Sequence, residues 1–151
     1  MEPHWTAYVS ALSVPVIGLF AASIAYRQWR TAQNKLKYDL FDKRFKVYRQ
    51  CCAFVSSVVS NGEVLEEVRI NFMRETLEAR WLFDKDLDRY LIDEIHGKAV
   101  ELQVLEAMFD ADLARDERNE NLAQQSNIKR WFNNQFTVLE SRFEKYLNLK
   151  H

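Results

Sequence analysis

Residues 6–26, TAYVSALSVPVIGLFAASIAY, form a run of 21 positions without a formal charge. A helix rising about 1.5 Å per residue needs about 20 such residues to cross a hydrocarbon core of about 30 Å. The run therefore sets the first expectation, a transmembrane anchor over 1–29 followed by a separate domain over 30–151. Trp5 and Tyr8 flank one end of the run, and Tyr26 and Trp29 the other, as interfacial aromatic belts do. Pro15 and Gly18 weaken a water-exposed helix but are tolerated inside a bilayer. Two rivals are weaker. A cleavable signal needs a basic leading segment, yet only Glu2, Pro3 and His4 follow the initial Met. A buried core helix would suit the serines at 10, 13 and 23, but it would not call for the flanking aromatics.

Basic side chains lie on one side of the run. Arg27, Arg30, Lys35 and Lys37 follow it, and His4 alone precedes it. The positive-inside rule then places the N-terminus outside and the C-terminal domain in the cytoplasm. Those four cations, with Trp5, Tyr8, Tyr26 and Trp29, are the expected membrane-interface residues. Gly18 and Ala22 have the small-xxx-small spacing that lets two membrane helices approach.

The formal net charge of −1 hides a local asymmetry. Residues 27–50 carry eight Lys/Arg against Asp39 and Asp42, whereas 51–151 carry 13 basic and 19 acidic groups. A nucleic-acid binder spreads basic charge over the folded domain itself, so nucleic acid is disfavoured as a partner. Membrane lipid is the better partner for the first half of the basic block, where proximity to an anionic leaflet is worth about 1 kcal/mol per cation. If the helix continues straight, Lys43 stands roughly 25 Å beyond Tyr26, well past a Debye length of about 8 Å.

Only three Gly and two Pro occur in 151 residues. So few turn-formers favour long helices joined by short connections. Phe41, Phe45, Tyr48, Cys52, Val55 and Val59 step by four and three, and Leu40, Val47, Cys51, Phe54 and Val58 widen that stripe. The helix is expected to end at Ser60-Asn61-Gly62. A second helix is expected over 63–80, with Ser60 and Glu63 as its capping box. A third follows Asp84, a good N-cap, with Leu87, Leu91, Ile95, Leu102, Leu105 and Phe109 at helical spacing. Residues 110–125 read as a polar connection. The last helix, from about Ser126, carries Phe132, Phe136, Leu139, Phe143 and Tyr146. The fold class is therefore all-α: an N-terminal transmembrane helix continuing into a cytoplasmic antiparallel bundle of three to four helices. Phe41, Phe45, Tyr48, Phe132, Phe136, Leu139 and Phe143 are its expected helix-packing residues.

Three blocks carry a resemblance: YRQWRTAQNKLKYDLFDKRFKVY (26–48), WLFDKDLDRYLIDEIHGKAVEL (81–102) and WFNNQFTVLESRFEKYLNL (131–149). In this order the chain resembles small bacterial single-pass membrane-anchored helical proteins with a WR-x-A-x-x-KL…DLF-x-KRF-x-VY pattern. The resemblance implies a bacterial inner-membrane topology and carries no activity with it.

Chemistry is sparse. Asp84-Lys-Asp-Leu-Asp88 begins like a calcium loop, but Arg89 and Ile95 stand where an EF-hand needs its Gly and its final acidic ligand. Asp93 and His96 share the spacing of a di-iron motif without the second motif or the further carboxylates. Cys51 and Cys52 are neighbours on a helix and point about 100° apart, a poor start for a metal site. No cofactor and no metal are expected. Arg89 and His96, with six residues between them, resemble the Arg–His signature of the HEPN ribonucleases. That resemblance implies a pair polarising a phosphodiester and handling a 2′-hydroxyl proton, usually across a dimer. Tyr90 departs from it, because the family usually has a polar residue there. The first functional expectation is a non-enzymatic membrane protein whose bundle mediates protein–protein interaction or self-association. The alternatives are a membrane-tethered HEPN-like ribonuclease using Arg89 and His96, and a pore-forming membrane effector.

Overall fold

The computed structural model describes the backbone of residues 5–109 and 114–148, with side chains from Val16 onward in those ranges. Among the described residues the protein is all-α, with four principal helices and no strand. It divides into two compact units, Met1–Asp39 and Leu40–His151.

Helix α1, Trp5–Asn61, is helical without interruption through the basic block. In the first unit every described side chain, 16–39, is exposed. Tyr26 and Trp29 pack ring against ring at 6.0 Å, one turn apart. Among the described residues no helix is long and apolar enough to cross a membrane. The first ten residues of the 6–26 run, together with Trp5, lie outside the described side chains, and 16–26 alone is too short.

In the second unit α1 ends as its sequence demands. Gly62 takes φ 71°, the left-handed conformation that favours glycine, and its N–H donates to the Val58 carbonyl at 3.0 Å. The Ser60–Glu63 capping box does not form, because Ser60 stays inside the last turn of α1. Helix α2, Glu66–Thr76, starts instead after Leu65 without a side-chain cap. It also stops short of the expected position 80. The Thr76 hydroxyl donates back to the Phe72 carbonyl at 2.7 Å, and the one-turn helix α3, Ala79–Leu82, follows. Back-bonding of this kind competes with regular helix and bends it.

The next rod is built from α4 (Lys85–Arg89), a π-helical segment (Tyr90–His96) and α5 (Gly97–Phe109). Asp84 caps it as expected, accepting from the Leu87 N–H at 3.0 Å, while its second oxygen meets Lys145 Nζ at 2.6 Å. The π segment lies within a repeated four-residue burial pattern. Leu87, Leu91, Ile95 and Ala99 are all buried at strict four-residue spacing. On an α-helix each such step drifts by about 40°. A π-helix bonds i to i+5 and holds more residues per turn, so the step from Leu91 to Ile95 drifts the opposite way and offsets part of the α drift.

The last helix, α6 (Arg115–Leu147), begins inside the segment expected to be a connection. Cross-contacts fix the directions in this unit. Phe54 stacks on Phe72 at 4.4 Å and Lys46 bridges Glu75 at 2.7 Å, so α2 runs antiparallel to α1. Tyr48 meets Phe143 at 5.3 Å and Phe54 meets Phe132 at 6.2 Å, so α6 also opposes α1. Asp84 with Lys145, and Leu105 with Asn121, set α6 against the middle rod. The core centres on Phe54, Val55, Ile95, Leu102, Phe132, Leu139 and Phe143.

The buried seam of α1 lies one residue around from its most regular aromatic stripe. Val47, Cys51, Phe54, Val55 and Val58 are buried, while Phe41, Tyr48 and Cys52 are half-buried and Phe45 is exposed. On α6, Phe132, Leu139 and Phe143 are buried, whereas Phe136 is exposed.

Candidate functional site

Buried polar groups hold the middle rod in place. Tyr90 is buried at the first π position, and its hydroxyl donates to Gln135 Oε1 at 2.6 Å. Gln135 Nε2 donates to the Trp131 carbonyl at 2.9 Å, and the Arg142 guanidinium covers the Tyr90 ring at 4.1 Å. Further along, Asn121 Nδ2 and Gln125 Nε2 both donate to the Leu105 carbonyl, at 2.9 and 3.3 Å. At the α1–α2 connection Gln103 donates to the Val64 carbonyl at 2.9 Å, and Glu106 accepts from the Val64 N–H at 3.4 Å. Burial pushes the Glu106 carboxyl above its ordinary range, and the Val64 N–H and Lys129 partly offset this.

These bonds are structural in character and make a direct prediction. Tyr90→Phe removes one hydroxyl and leaves a buried Gln135 oxygen without a donor, at a cost of about 1–3 kcal/mol. A urea titration is expected to show a lower midpoint with an unchanged slope.

Arg89 and His96 bracket the π segment, Arg89 just before it and His96 at its end. Arg89 is exposed at the end of α4, and no hydrogen bond joins it to His96 among the described residues. Seven residues make about two α turns, but the intervening π segment needs more residues per turn. The same-face expectation for Arg89 and His96 assumes a uniform α-helix, and the segment between them is π-helical. His96 meets another arginine instead. Arg69 of α2 brings its NH1 nitrogen to 3.2 Å from His96 Nε2. Burial first, and Arg69 second, hold the His96 pKa below its ordinary value.

Among the described residues no group of three or more His, Cys, Asp or Glu side chains converges as a metal site would. Cys51 is buried, and burial pushes its thiol pKa far up, with Cys52 adding to the shift. A raised thiol pKa leaves little thiolate, the form that attacks and that binds metals. A surface groove of about 470 Å³ lies beside the α4 start, between Asp84, Asp86, Arg142 and Lys145. Asp84 and Lys145 already neutralise one another there. Comparison with protein-family models, curated proteins and solved structures finds no match.

What the surface does offer is apolar. On α5 the face turned away from the core carries Val100, Val104 and Met108, 36%, 47% and 52% exposed, with exposed Ala107 beside them. Lys98 and Glu101 pair at 2.6 Å along its margin. Helix α5 thus carries apolar side chains on its outer side as well as on its core face, more than a one-sided amphipathic helix needs. The sequence does signal this, since only Lys98, Glu101, Gln103 and Glu106 are polar in α5 after Gly97. Scoring one stripe of the helix conceals it. Of the expected membrane-interface residues, Tyr26, Arg27, Trp29, Arg30, Lys35 and Lys37 are all exposed on α1. Trp5 and Tyr8 lie outside the described side chains.

Proposed function

We propose that the protein is a non-enzymatic, single-pass inner-membrane protein whose helical bundle mediates protein–protein interaction, with a second copy of itself as the partner. The observation that carries the interaction is the uncovered apolar face of α5. Three large side chains at i, i+4 and i+8 give a continuous stripe along one helix face. A two-fold interface is self-complementary. An antiparallel copy centred on Val104 sets Val104 against its own counterpart and Val100 against Met108 of the second copy. The margin then supplies both charge signs from Lys98 and Glu101, so neither like-charge repulsion nor a buried lone charge opposes the pairing.

The anchor is supported by residues 16–26, which are uncharged and all exposed. In water those side chains have nothing to cover them, whereas lipid covers them directly. Arg27, Arg30, Lys35 and Lys37 supply the basic flank on the cytoplasmic side.

The test is crosslinking of the full chain in membranes, compared with a Val104→Asp/Met108→Asp variant. Crosslinked dimer is expected for the parent and strong loss of it for the variant, because charges on the stripe would have to be desolvated at the interface. Helical content of the variant should stay unchanged, since both positions face solvent in the single chain. Equal crosslinking in the two proteins rules out the α5 face.

A further inference from the structure

The contact between Arg69 and His96 joins α2 to the π segment, and its chemistry makes it sensitive to acid. A guanidinium has five N–H donors, no acceptor, and stays charged throughout the accessible pH range. For Arg69 NH1 to bond His96 Nε2, that nitrogen must offer a lone pair, so the imidazole is neutral with its proton on Nδ1. Protonation removes the acceptor and sets two cations face to face at the same 3.2 Å. Arg69 Nε is itself buried without a partner among the described residues.

The surrounding charges do not relieve this. From α2 Arg69 is the charged group bonded to His96, while Glu66 and Glu67 of its first turn are exposed. On the π segment Asp93 and Glu94 are exposed, and Glu94 lies 3.9 Å from Arg142 of α6. Lys98, at the start of α5, is engaged by Glu101. On α4 the carboxylates of Asp86 and Asp88 form no bond to His96 among the described residues, and Arg89 is a further exposed cation. Among the described residues no hydrogen bond or ion pair joins a carboxylate to His96.

We infer that Arg69 and His96 form an acid-released latch, which holds the N-terminal half of α2 on the bundle at neutral pH and lets it go when His96 is protonated. The C-terminal half of α2 is held separately, by Phe72 on Phe54 and by Lys46 with Glu75. Release therefore begins at the Arg69 end and propagates towards the Phe54–Phe72 stack, exposing apolar surface that is buried at neutral pH. The sign agrees with the depressed His96 pKa. A histidine whose folded pKa lies below 6.5 stabilises the closed form fully above 6.5 and loses that contribution as pH falls through the folded value.

Hydrogen exchange on the full chain tests the latch. After correction for intrinsic exchange rates, α2 amides are expected to lose protection several-fold between about pH 7.5 and about pH 5, while α6 does not. In His96→Gln, which keeps an acceptor but cannot titrate, the loss should vanish. Unchanged α2 protection in the parent, or an equal loss in His96→Gln, overturns the latch. If that variant folds poorly, the parent decides the matter through its imidazole resonances, assigned with His4→Gln and His151→Gln. A His96 midpoint below 6.5 that coincides with the α2 transition supports the latch, and one at or above 6.5 overturns it.

Discussion

Phe54→Ala is expected to be the most damaging single substitution in the helical unit. The Phe54 ring stacks on Phe72 at 4.4 Å and meets Phe132 edge-on at 6.2 Å, so one side chain ties α1 to both α2 and α6. It is 2% exposed, and truncation would leave a void that three helices must collapse to fill. Changes of this kind cost about 3–5 kcal/mol, against a total stability of about 5–15 kcal/mol for a domain. Thermal unfolding followed by circular dichroism should show a large fall in midpoint or loss of the cooperative transition. Trp81→Ala is the matched control. Trp81 is as large but 83% exposed, and its removal should change stability by no more than about 0.5 kcal/mol. If the two variants melt alike, Phe54 is not the centre of this core.

The reasons some of this was legible in the sequence, and some was not, are physical. The end of α1 and the start of α4 could be read because one residue decides each. Gly62 permits the left-handed turn, and Asp84 supplies the oxygen for the Leu87 N–H. The beginning of α6 could not be read from apolar periodicity. Its core-facing stripe continues through Asn121, Gln125 and Gln135, and the first two spend their amides on the Leu105 carbonyl. A stripe made of polar residues looks like a connection until the carbonyl that they bond is known. The π segment could not be read from the sequence. The repeated four-residue steps from Leu87 to Ala99 are plain in the sequence, yet they are equally compatible with a drifting α-helix.

The candidate sites divide in the same way. The Arg89–His96 alignment is read on a uniform α-helix, and a π segment lies between the two residues. Arg69, the residue that actually meets His96, lies 27 positions earlier on another helix. No spacing rule within α2 points to it, because the contact depends on how α2 crosses the middle rod. The α5 stripe stood in the sequence as an excess of apolar residues over what one core-facing side needs. Counting both faces of that helix, and not only its best one, exposes the surplus.

Two charges placed in the uncharged run should decide the membrane reading. Val16→Lys with Leu19→Lys puts both near the middle of 6–26, on a stretch that carries no charge to pair with them. A lysine at the centre of a membrane helix costs about 2.5–3.5 kcal/mol, so the pair weakens insertion by roughly 5–7 kcal/mol if the costs add. The parent protein is expected to stay with the membrane pellet after alkaline extraction, and the double variant to move into the supernatant or be degraded. Trp81→Lys, a charge of the same kind on an exposed position outside the run, should leave the parent's distribution unchanged. This arrangement separates insertion from general loss of fold, because residues 16–39 make no contribution to the buried core. Release of the parent itself without detergent would remove the anchor. The α5 interface would survive that result, since its residues, Val100, Val104 and Met108 with Lys98 and Glu101 at the margin, all lie outside the run.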